Sequence, residues 1–435
     1  MAQPEKAELV RGIGRWDLVA LAVNAIIGAG IFGLPSKVQS LIGPYSLIAF
    51  IVCAVVVTLI ILCFAEVGSR FSVTGGPYLY AREAFGPVVG FEVGWLVWLA
   101  RLTAFAANCN LFVQYLSYIF PTANGGWWRP GIITSIVFLL TVVNILGVRN
   151  AALFSDIFTL GKMAPLLLFI VVGLFFLNSA NFALPALPSS HAFSNSVLLL
   201  VYAFSGFEIA FIPSGEVRDP QRNLPFALLV AIGIVASTYI LVQVVCIGTL
   251  STLGDSTRPL VDASSQFLGG VGAWIITAGV LISIAGNLNV VLLSGSRLPF
   301  AMAEERDLPR WLAATHRRFH TPHLAILLTA SLILVVTVSG SFIYAVTIST
   351  IARLLTYMVT CAALPVLRRR EQEQPAQFRV PAGEFVVGLS LLLSVWLLAN
   401  STWREARDGA IAAAFGMVVY AAQRWRRPEG FSSPQ

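Results

Sequence analysis

The sequence predicts an all-α integral membrane protein with twelve spanning helices, the first ten of which form two inverted five-helix repeats. Three observations support this fold class. The 435-residue chain is 57% hydrophobic and 11% charged, whereas ordinary soluble domains carry about 25% charged residues. Apolar segments long enough to cross a bilayer recur from end to end, which a single large apolar core would not require. Finally, the first and sixth segments are both interrupted by glycine.

The apolar segments divide one transmembrane domain, residues 1–435, into repeats. The first repeat is predicted over 12–177 and the inverted second repeat over 194–367, followed by two additional helices over 384–424. Because five is an odd number of spans, the second group must insert upside down relative to the first. The predicted segments are 16–42, 44–68, 87–119, 130–147, 152–177, 194–217, 225–250, 270–301, 322–339, 342–367, 384–402 and 408–424.

The first segment is interrupted where Gly28, Gly30 and Gly33 fall within six positions. Each glycine costs a helix about 1 kcal/mol relative to alanine. Lipid cannot satisfy the backbone groups that a break exposes, so the break must line a protein cavity or a ligand site. One half-helix then presents carbonyls, and the other presents N–H groups and the positive end of its dipole. This arrangement suits a zwitterion, and Ile27, Gly28, Ala29 and Gly30 are predicted to contact it.

A second break is predicted in the sixth segment, between Phe204 and Glu208. Paired broken helices in inverted repeats are typical of secondary transporters whose site lies near the bilayer midplane. Ser205 and Gly206 are therefore predicted substrate contacts. Phe204 and Phe207 flank the break, where they either close over a substrate or pack against neighbouring helices.

Ionisable residues inside spanning helices are costly and are candidates for a functional site. Burial favours the uncharged form of a lysine, so Lys162 in the fifth segment is a candidate proton carrier. It could equally be a fixed ammonium bonded to the carbonyls of the first break, or extend to the interface. Glu208 follows the second break directly, and there it acts either structurally, bonded to N–H groups or a cation, or as a protonation switch.

Arg101 lies near the middle of the third segment, where exposure to lipid would be costly. Phe105 and Asn108 share its helical face, so this face is predicted to line the cavity. An arginine there would repel cationic side chains and attract carboxylates, unless Glu208 neutralises it. Asn287 in the eighth segment is predicted to form a hydrogen bond with the substrate, although hydrogen bonding between helices is the commoner role of such residues.

The distribution of basic residues predicts that both termini are cytoplasmic. With that orientation the loops place twenty Lys and Arg residues inside, against Arg129, Arg258, Arg404 and Arg407 outside. The net charge of +7 therefore reflects topology, and no nucleic-acid partner is predicted. Arg353 in the tenth segment is expected to face the cytoplasmic vestibule.

No metal or cofactor is predicted. The five cysteines fall inside apolar runs without metal-ligand spacing, and the nucleotide-binding pattern G-x-x-x-x-G-K-[ST] is absent from the sequence. A membrane enzyme would need a convergent His, Cys or carboxylate cluster, a channel a continuous pore, and a sensor a sizeable soluble domain. The sequence favours none of the three.

Four groups of motifs, in order along residues 12–370, resemble the amino acid–polyamine–organocation (APC) superfamily. They are Ile27-Gly28-Ala29-Gly30-Ile31-Phe32 with Leu34-Pro35; Ala65-Glu66 with Gly75-Gly76-Pro77-Tyr78-Leu79-Tyr80-Ala81-Arg82 and Phe85-Gly86; Gly206-Phe207-Glu208 with Gly215-Glu216-Val217-Arg218-Asp219-Pro220-Gln221-Arg222-Asn223-Leu224-Pro225; and Ser296-Arg297 with Ala301-Met302-Ala303 and Leu308-Pro309. The resemblance implies a LeuT-type fold and transport of amino acids or related amines. It also implies that Lys162 takes the place of the sodium ion of sodium-coupled relatives.

These inferences predict a secondary active amino acid permease in the plasma membrane, which in bacteria is the inner membrane. It is expected to work by alternating access and proton-coupled symport of neutral amino acids, and not as an enzyme. The alternative is an amino acid or amine exchanger without net ion coupling. The expected partners are the amino acid, protons and the lipid bilayer, and the oligomeric state is left open.

Overall fold

The protein is described here from a computed structural model, which covers residues 14–71, 76–147, 151–211, 217–370 and 375–425, with the backbone only over 151–160. These residues form helices α1 (Arg15–Ile26), α2 (Gly30–Ile42), α3 (Ser46–Gly68), α4 (Gly76–Phe85), α5 (Pro87–Leu116), α6 (Trp128–Leu146), α7 (Ala151–Gly173), α8 (Ser190–Phe204), α9 (Pro220–Thr249), α10 (Pro259–Glu304), α11 (His323–Ser339), α12 (Phe342–Arg369), α13 (Gly383–Ala399) and α14 (Trp403–Trp425).

Both predicted helix breaks are confirmed. In the first segment α1 ends at Ile26 and α2 begins at Gly30. In the sixth segment α8 ends at Phe204, and a 3₁₀ helix, Phe207–Phe211, follows after two residues. Each of the other ten predicted segments contains one long helix.

Two helices depart from the predicted pattern. Helix α4 lies where a loop was predicted, and Tyr80 in it is buried and stacks on Phe71. Helix α10 begins eleven residues earlier than the predicted segment because Pro259 starts an additional helical stretch. This stretch continues into the predicted segment across a kink at Gly269, whose φ is +58° and ψ −151°.

The protein is an integral multi-pass membrane protein. By length and apolar composition, seven spans can be assigned among the described helices, or eight if α13 and α14, which meet at 115°, form one broken span. Two further apolar stretches, Gly161–Phe176 and His323–Ser339, are shorter. The count of twelve spans and the inverted repeats therefore stay predictions.

The broken helices lie at the centre of the helical assembly. The most apolar parts of α5 and of the α8 segment are mostly buried, whereas most residues in that of α6 are not fully buried. Helix α2 packs against α8, and α1 packs against α9. On the other side of the breaks, the long helix α5 packs against both α10 and α12. Polar groups at the breaks are consequently enclosed by protein.

Gly30 allows the close approach of α2 to α8. A Cβ atom there would lie 2.5 Å from Cα and 2.7 Å from Cβ of Ala203. We expect Gly30→Ala to lower the thermal unfolding midpoint in detergent by several degrees, because overpacking costs typically 1–3 kcal/mol. Gly233→Ala is the matched control, since Gly233 lies within α9 with no atom near its missing Cβ. It should keep or raise the midpoint. Equal midpoints for the two variants would contradict the contact.

Candidate functional site

The two helix breaks meet at one place in the molecule. Gly206 has φ of +110°, and a Cβ atom on it would lie 2.4 Å from the carbonyl oxygen of Ala25 at the end of α1. The second break therefore lies directly on the last turn of α1, as Gly30 of the first break lies on the last turn of α8. Four helix ends converge in consequence, and each contributes backbone groups that its own helix does not satisfy.

A cavity of about 30 Å³, the space of roughly one water molecule, lies at this convergence. Eight of the predicted site residues line it: Gly28, Ala29, Gly30, Arg101, Asn108, Ser205, Gly206 and Asn287. The remaining lining residues are Ala25, Ile26, Ala104, Tyr202, Ile209, Val291 and Arg353.

Four other predicted contacts lie beside the cavity rather than on its wall. Phe204 packs edge-on against Tyr239 and Phe50, with ring centroids 5.1 and 6.4 Å apart. Phe207 packs against Phe64 and Tyr357. Phe105 is fully buried and does not line the cavity. The face of α5 that does so carries Arg101, Ala104 and Asn108, at positions i, i+3 and i+7. The fourth, Ile27, is also fully buried, and its carbonyl accepts a hydrogen bond from Lys162.

Carbonyl groups freed at the end of α1 are bound by side chains from other helices. The ammonium of Lys162 donates hydrogen bonds to the carbonyls of Asn24 and Ile27, at 3.1 and 3.0 Å. The hydroxyl of Tyr239 on α9 lies 3.3 Å from the carbonyl of Ile26 and 3.1 Å from that of Ala203. A single hydroxyl hydrogen is thus shared between the ends of both broken helices.

On the other side of the first break, α5 binds an N–H group. The N–H of Ala29 donates to Oδ1 of Asn108 at 3.2 Å. The amide nitrogen of Asn108 in turn donates to the Ala104 carbonyl and to the hydroxyl of Tyr202. Asn108 is thereby fixed with its oxygen toward the break. In the first turn of α2 the N–H groups of Phe32 and Gly33 donate to the carbonyl of Ala29, at 3.1 Å each, whereas those of Gly30 and Ile31 have no acceptor within their own helix.

Glu208 connects the second break to α12. Its Oε2 accepts hydrogen bonds from the N–H of Gly206 at 2.9 Å and from the hydroxyl of Tyr357 at 3.0 Å. Its Oε1 accepts a hydrogen bond from the guanidinium of Arg353. The carboxylate is buried, and both of its oxygens have donors.

Arg101 is the second arginine beside Glu208. Its Nη2 lies 3.5 Å from Oε1 of Glu208, which makes an ion pair, and its side chain is buried. The stem of Arg101 passes Gly295 of α10, and Arg101 is one of the residues on the cavity wall. Within the described ranges, the site therefore contains two guanidinium groups and one carboxylate.

Two larger cavities lie on either side of the central one. The first, called here the Lys162 vestibule, has a volume of about 490 Å³ and shares Ala25, Ile209 and Asn287 with the central cavity. Its other lining residues are Leu21, Asn24, Leu140, Val143, Asn144, Gly147, Lys162, Ala285, Gly286, Asn289, Val290, Leu293, Arg297 and Thr321.

The second, called here the Arg129 vestibule, has a volume of about 480 Å³ and shares no lining residue with the central cavity. Its lining residues are Gly33, Ser36, Lys37, Ser40, Asn110, Gln114, Asn124, Arg129, Gly254, Asp255, Ser256, Thr257, Ser341, Phe342 and Ile343. Gly33 and Phe342 are in close contact at its base, where a Cβ on Gly33 would lie 2.6 Å from the ring. In this conformation the central cavity consequently adjoins the Lys162 vestibule and is separated from the Arg129 vestibule.

Several residues of the site were not predicted from the sequence. Arg353 was expected in a vestibule, yet it lines the central cavity and pairs with Glu208. The argument that identified Arg101, an arginine deep in a spanning helix, applies to it equally. Tyr202, Tyr239 and Tyr357 carry no such signal, because an aromatic residue in an apolar segment is unremarkable in sequence.

Fold and cavity together define a multi-pass membrane protein with an enclosed polar site between two broken helices. A family model described as amino acid permease matches residues 13–420. The chain therefore belongs to the amino acid permease family, within the APC superfamily.

Three similar proteins are named as transporters or as an exchanger. The methylthioribose transporter of Bacillus subtilis (strain 168) is 29% identical, over 96% of this chain and 94% of the relative. The serine/threonine exchanger SteT of the same organism is 28% identical, over 96% and 98%. The large neutral amino acids transporter small subunit 2 of Mus musculus is 31% identical, over 95% and 81%.

The negative charge of Glu208 compensates two buried guanidinium groups and should therefore contribute to the stability of the fold. We expect Glu208→Gln to lower stability by about 3–5 kcal/mol, because it leaves the Arg353 and Arg101 guanidinium groups buried without an anion. Glu92→Gln is the matched control. Both carboxyl oxygens of Glu92 are buried, and neither has a hydrogen-bond partner among the described residues.

Glu92→Gln should therefore leave stability unchanged or raise it, since it removes an acidic group that nothing compensates. Thermal unfolding in detergent, followed by size-exclusion chromatography, measures both variants. A Glu208→Gln protein as stable as wild type would contradict the assigned role.

Proposed function

We propose that this protein is an amino acid permease that moves its substrate by alternating access around the two helix breaks. The proposal includes a twelve-helix LeuT-type arrangement, with repeats at 12–177 and 194–367 and further helices at 384–424. It also places the protein in the plasma membrane with both termini in the cytoplasm. The observation that carries the proposal is the central cavity, which lies where the two broken helices meet and adjoins only one of the two vestibules.

In the proposed topology the Lys162 vestibule is cytoplasmic, so this conformation faces inward. The cavity is too small for an amino acid at about 30 Å³. Loading must therefore widen the space between the breaks and the wall formed by α5, α10 and α12. Closure of the Lys162 vestibule and separation of Gly33 from Phe342 would convert the site to the outward-facing form.

The substrate is proposed to bind as a zwitterion. Its carboxylate accepts hydrogen bonds from N–H groups at the start of α2, which begins at Gly30. The helix dipole adds a positive field there. Its ammonium lies near the carbonyl groups at the ends of α1 and α8. Because two guanidinium groups and one carboxylate leave the cavity with an excess positive charge, cationic side chains are repelled. Neutral amino acids are the proposed substrates.

Lys162 supports proton coupling in this proposal. Its ammonium occupies the position between the Asn24 and Ile27 carbonyls, where a metal cation would otherwise find oxygen ligands. It also lines the Lys162 vestibule, from which a proton can reach it. Exchange is the second candidate mechanism, and the similarity to a serine/threonine exchanger favours it.

Uptake into proteoliposomes tests the function and separates the two mechanisms. Purified protein is reconstituted, and uptake of labelled alanine, serine, leucine, lysine and arginine is measured. We expect uptake of the neutral amino acids, stimulation by an inward proton gradient and no loss when choline replaces sodium. Exchange predicts instead that internal unlabelled amino acid is needed and that a pH gradient has little effect. Preference for lysine or arginine over alanine and leucine, or a steep dependence on sodium, would contradict the proposal.

Gly28→Leu tests the position of the site. A Cβ atom on Gly28 would lie 3.3 Å from Nδ2 of Asn287, on the cavity wall and away from the backbone of any other helix. A leucine should fill the cavity and abolish binding while the protein still folds, as judged by its elution volume and yield. Gly233→Leu on α9 serves as control, because nothing lies within 4 Å of its missing Cβ. Wild-type affinity in the Gly28 variant would place the substrate elsewhere.

A further inference from the structure

The charges around the central cavity do not balance. Arg101 and Arg353 both lie on its wall, while Glu208 is the carboxylate that they share. Lys162 adds a further ammonium on the far side of the first break, and its charge is directed at two carbonyls. Because Lys162 does not line the central cavity, the two arginines and the carboxylate of Glu208 leave one positive charge there among the described residues.

The leftover charge belongs to Arg101. Glu208 already receives the Gly206 N–H and the Tyr357 hydroxyl on one oxygen and Arg353 on the other. Arg353 is further held by its Nε, which lies 3.4 Å from the hydroxyl of Ser349. Arg101, in contrast, reaches Glu208 only at 3.5 Å and donates no hydrogen bond within the described part of the chain.

A buried guanidinium in this condition needs an acceptor. Arginine carries five N–H donors, and a charge taken out of water is costly unless it is paired and hydrogen-bonded. Arg101 is 3% exposed and is one of the residues that line the central cavity. Asn108 and Asn287 lie on the same wall, so the surroundings of the guanidinium are polar. An anionic group in the cavity would complete the hydrogen bonds that Glu208 does not supply.

We infer that the loaded site holds a second anionic group on Arg101, in addition to the α-carboxylate bound at the start of α2. Two sources have the required chemistry. One is the side-chain carboxylate of an acidic amino acid, and the other is a chloride ion bound together with a neutral amino acid. The inference rests on the proposed amino acid transport and specifies what the same site must contain.

Ligand pairs of equal size distinguish the sources. Binding of glutamate is compared with glutamine, and binding of aspartate with asparagine, by the shift in thermal unfolding midpoint of purified wild-type protein. Each titration is run in sodium chloride and in sodium gluconate at equal ionic strength, gluconate being too bulky for the cavity. If the substrate supplies the anion, glutamate or aspartate binds at least tenfold more tightly than its amide in both salts. If chloride supplies it, the amides bind at least tenfold more tightly in chloride.

Arg101→Gln should remove whichever preference the wild type has. Arg310→Gln is the charge-matched control, because Arg310 is an exposed residue of the 3₁₀ helix Arg310–Ala313 and lies outside the site. It should keep the wild-type preference. If Arg101→Gln does not fold, Arg101→Lys retains the charge without the planar fork and should weaken the preference, while the wild-type titrations still decide the question.

The inference is overturned if neutral amino acids bind equally well in both salts and acidic ones bind no better than their amides. It is overturned equally if Arg101→Gln keeps the wild-type preference. In both cases, binding of neutral amino acids would still support the proposed transport function. Absence of any amino acid binding or uptake by the wild type would instead contradict the proposed function itself.

Discussion

Backbone groups released inside a membrane must find partners within the protein, and this constraint organises the centre of the molecule. The end of α1 is satisfied by Lys162 from α7 and Tyr239 from α9, and the N–H of Ala29, just before α2, by Asn108 from α5. Hydrocarbon could supply none of these bonds. Three additional helices are therefore held at the breaks by the same polar groups that shape the cavity, and the site and the centre of the fold share one set of interactions.

Glu208 extends this network to α12. One carboxylate accepts hydrogen bonds from the second break, from Tyr357 and from Arg353. In a medium of low dielectric constant such charge-assisted bonds are strong, but each charge also carries a large desolvation cost. The position of the second break relative to α12 is consequently set by electrostatics as much as by packing.

The sequence was sufficient to locate both breaks, because the glycines at 28–33 and 206 interrupt otherwise apolar segments of spanning length. It also identified Lys162 and Glu208, since an ionisable residue in such a segment is conspicuous. It could not decide which of several buried charges meet. Arg101 and Arg353 are 252 positions apart in sequence, and the pairing of either with Glu208 depends on how the helices pack.

Other features could not be predicted from the sequence because they depend on tertiary packing. The hydroxyl of Tyr239 bridges two helix ends only because α9 passes both of them, and an isolated tyrosine in an apolar segment predicts neither contact. Helix α4 was missed because its stability comes from tertiary packing of Tyr80 and its neighbours rather than from a long apolar pattern. Phe105 lies beside the cavity because the packing of α5 turned the face of Ala104 toward it.

The glycine contacts between the broken helices restrict how the molecule can deform. Gly30 lies against Ala203 and Gly206 against the carbonyl of Ala25, so neither break can slide past the other without a clash of main-chain atoms. Rotation of the half-helices around the two breaks as one rigid body would keep both contacts. The hinges of such a rotation would lie outside this body, and it would change the contacts that cross the boundary, among them the 3.5 Å separation between Arg101 and Glu208.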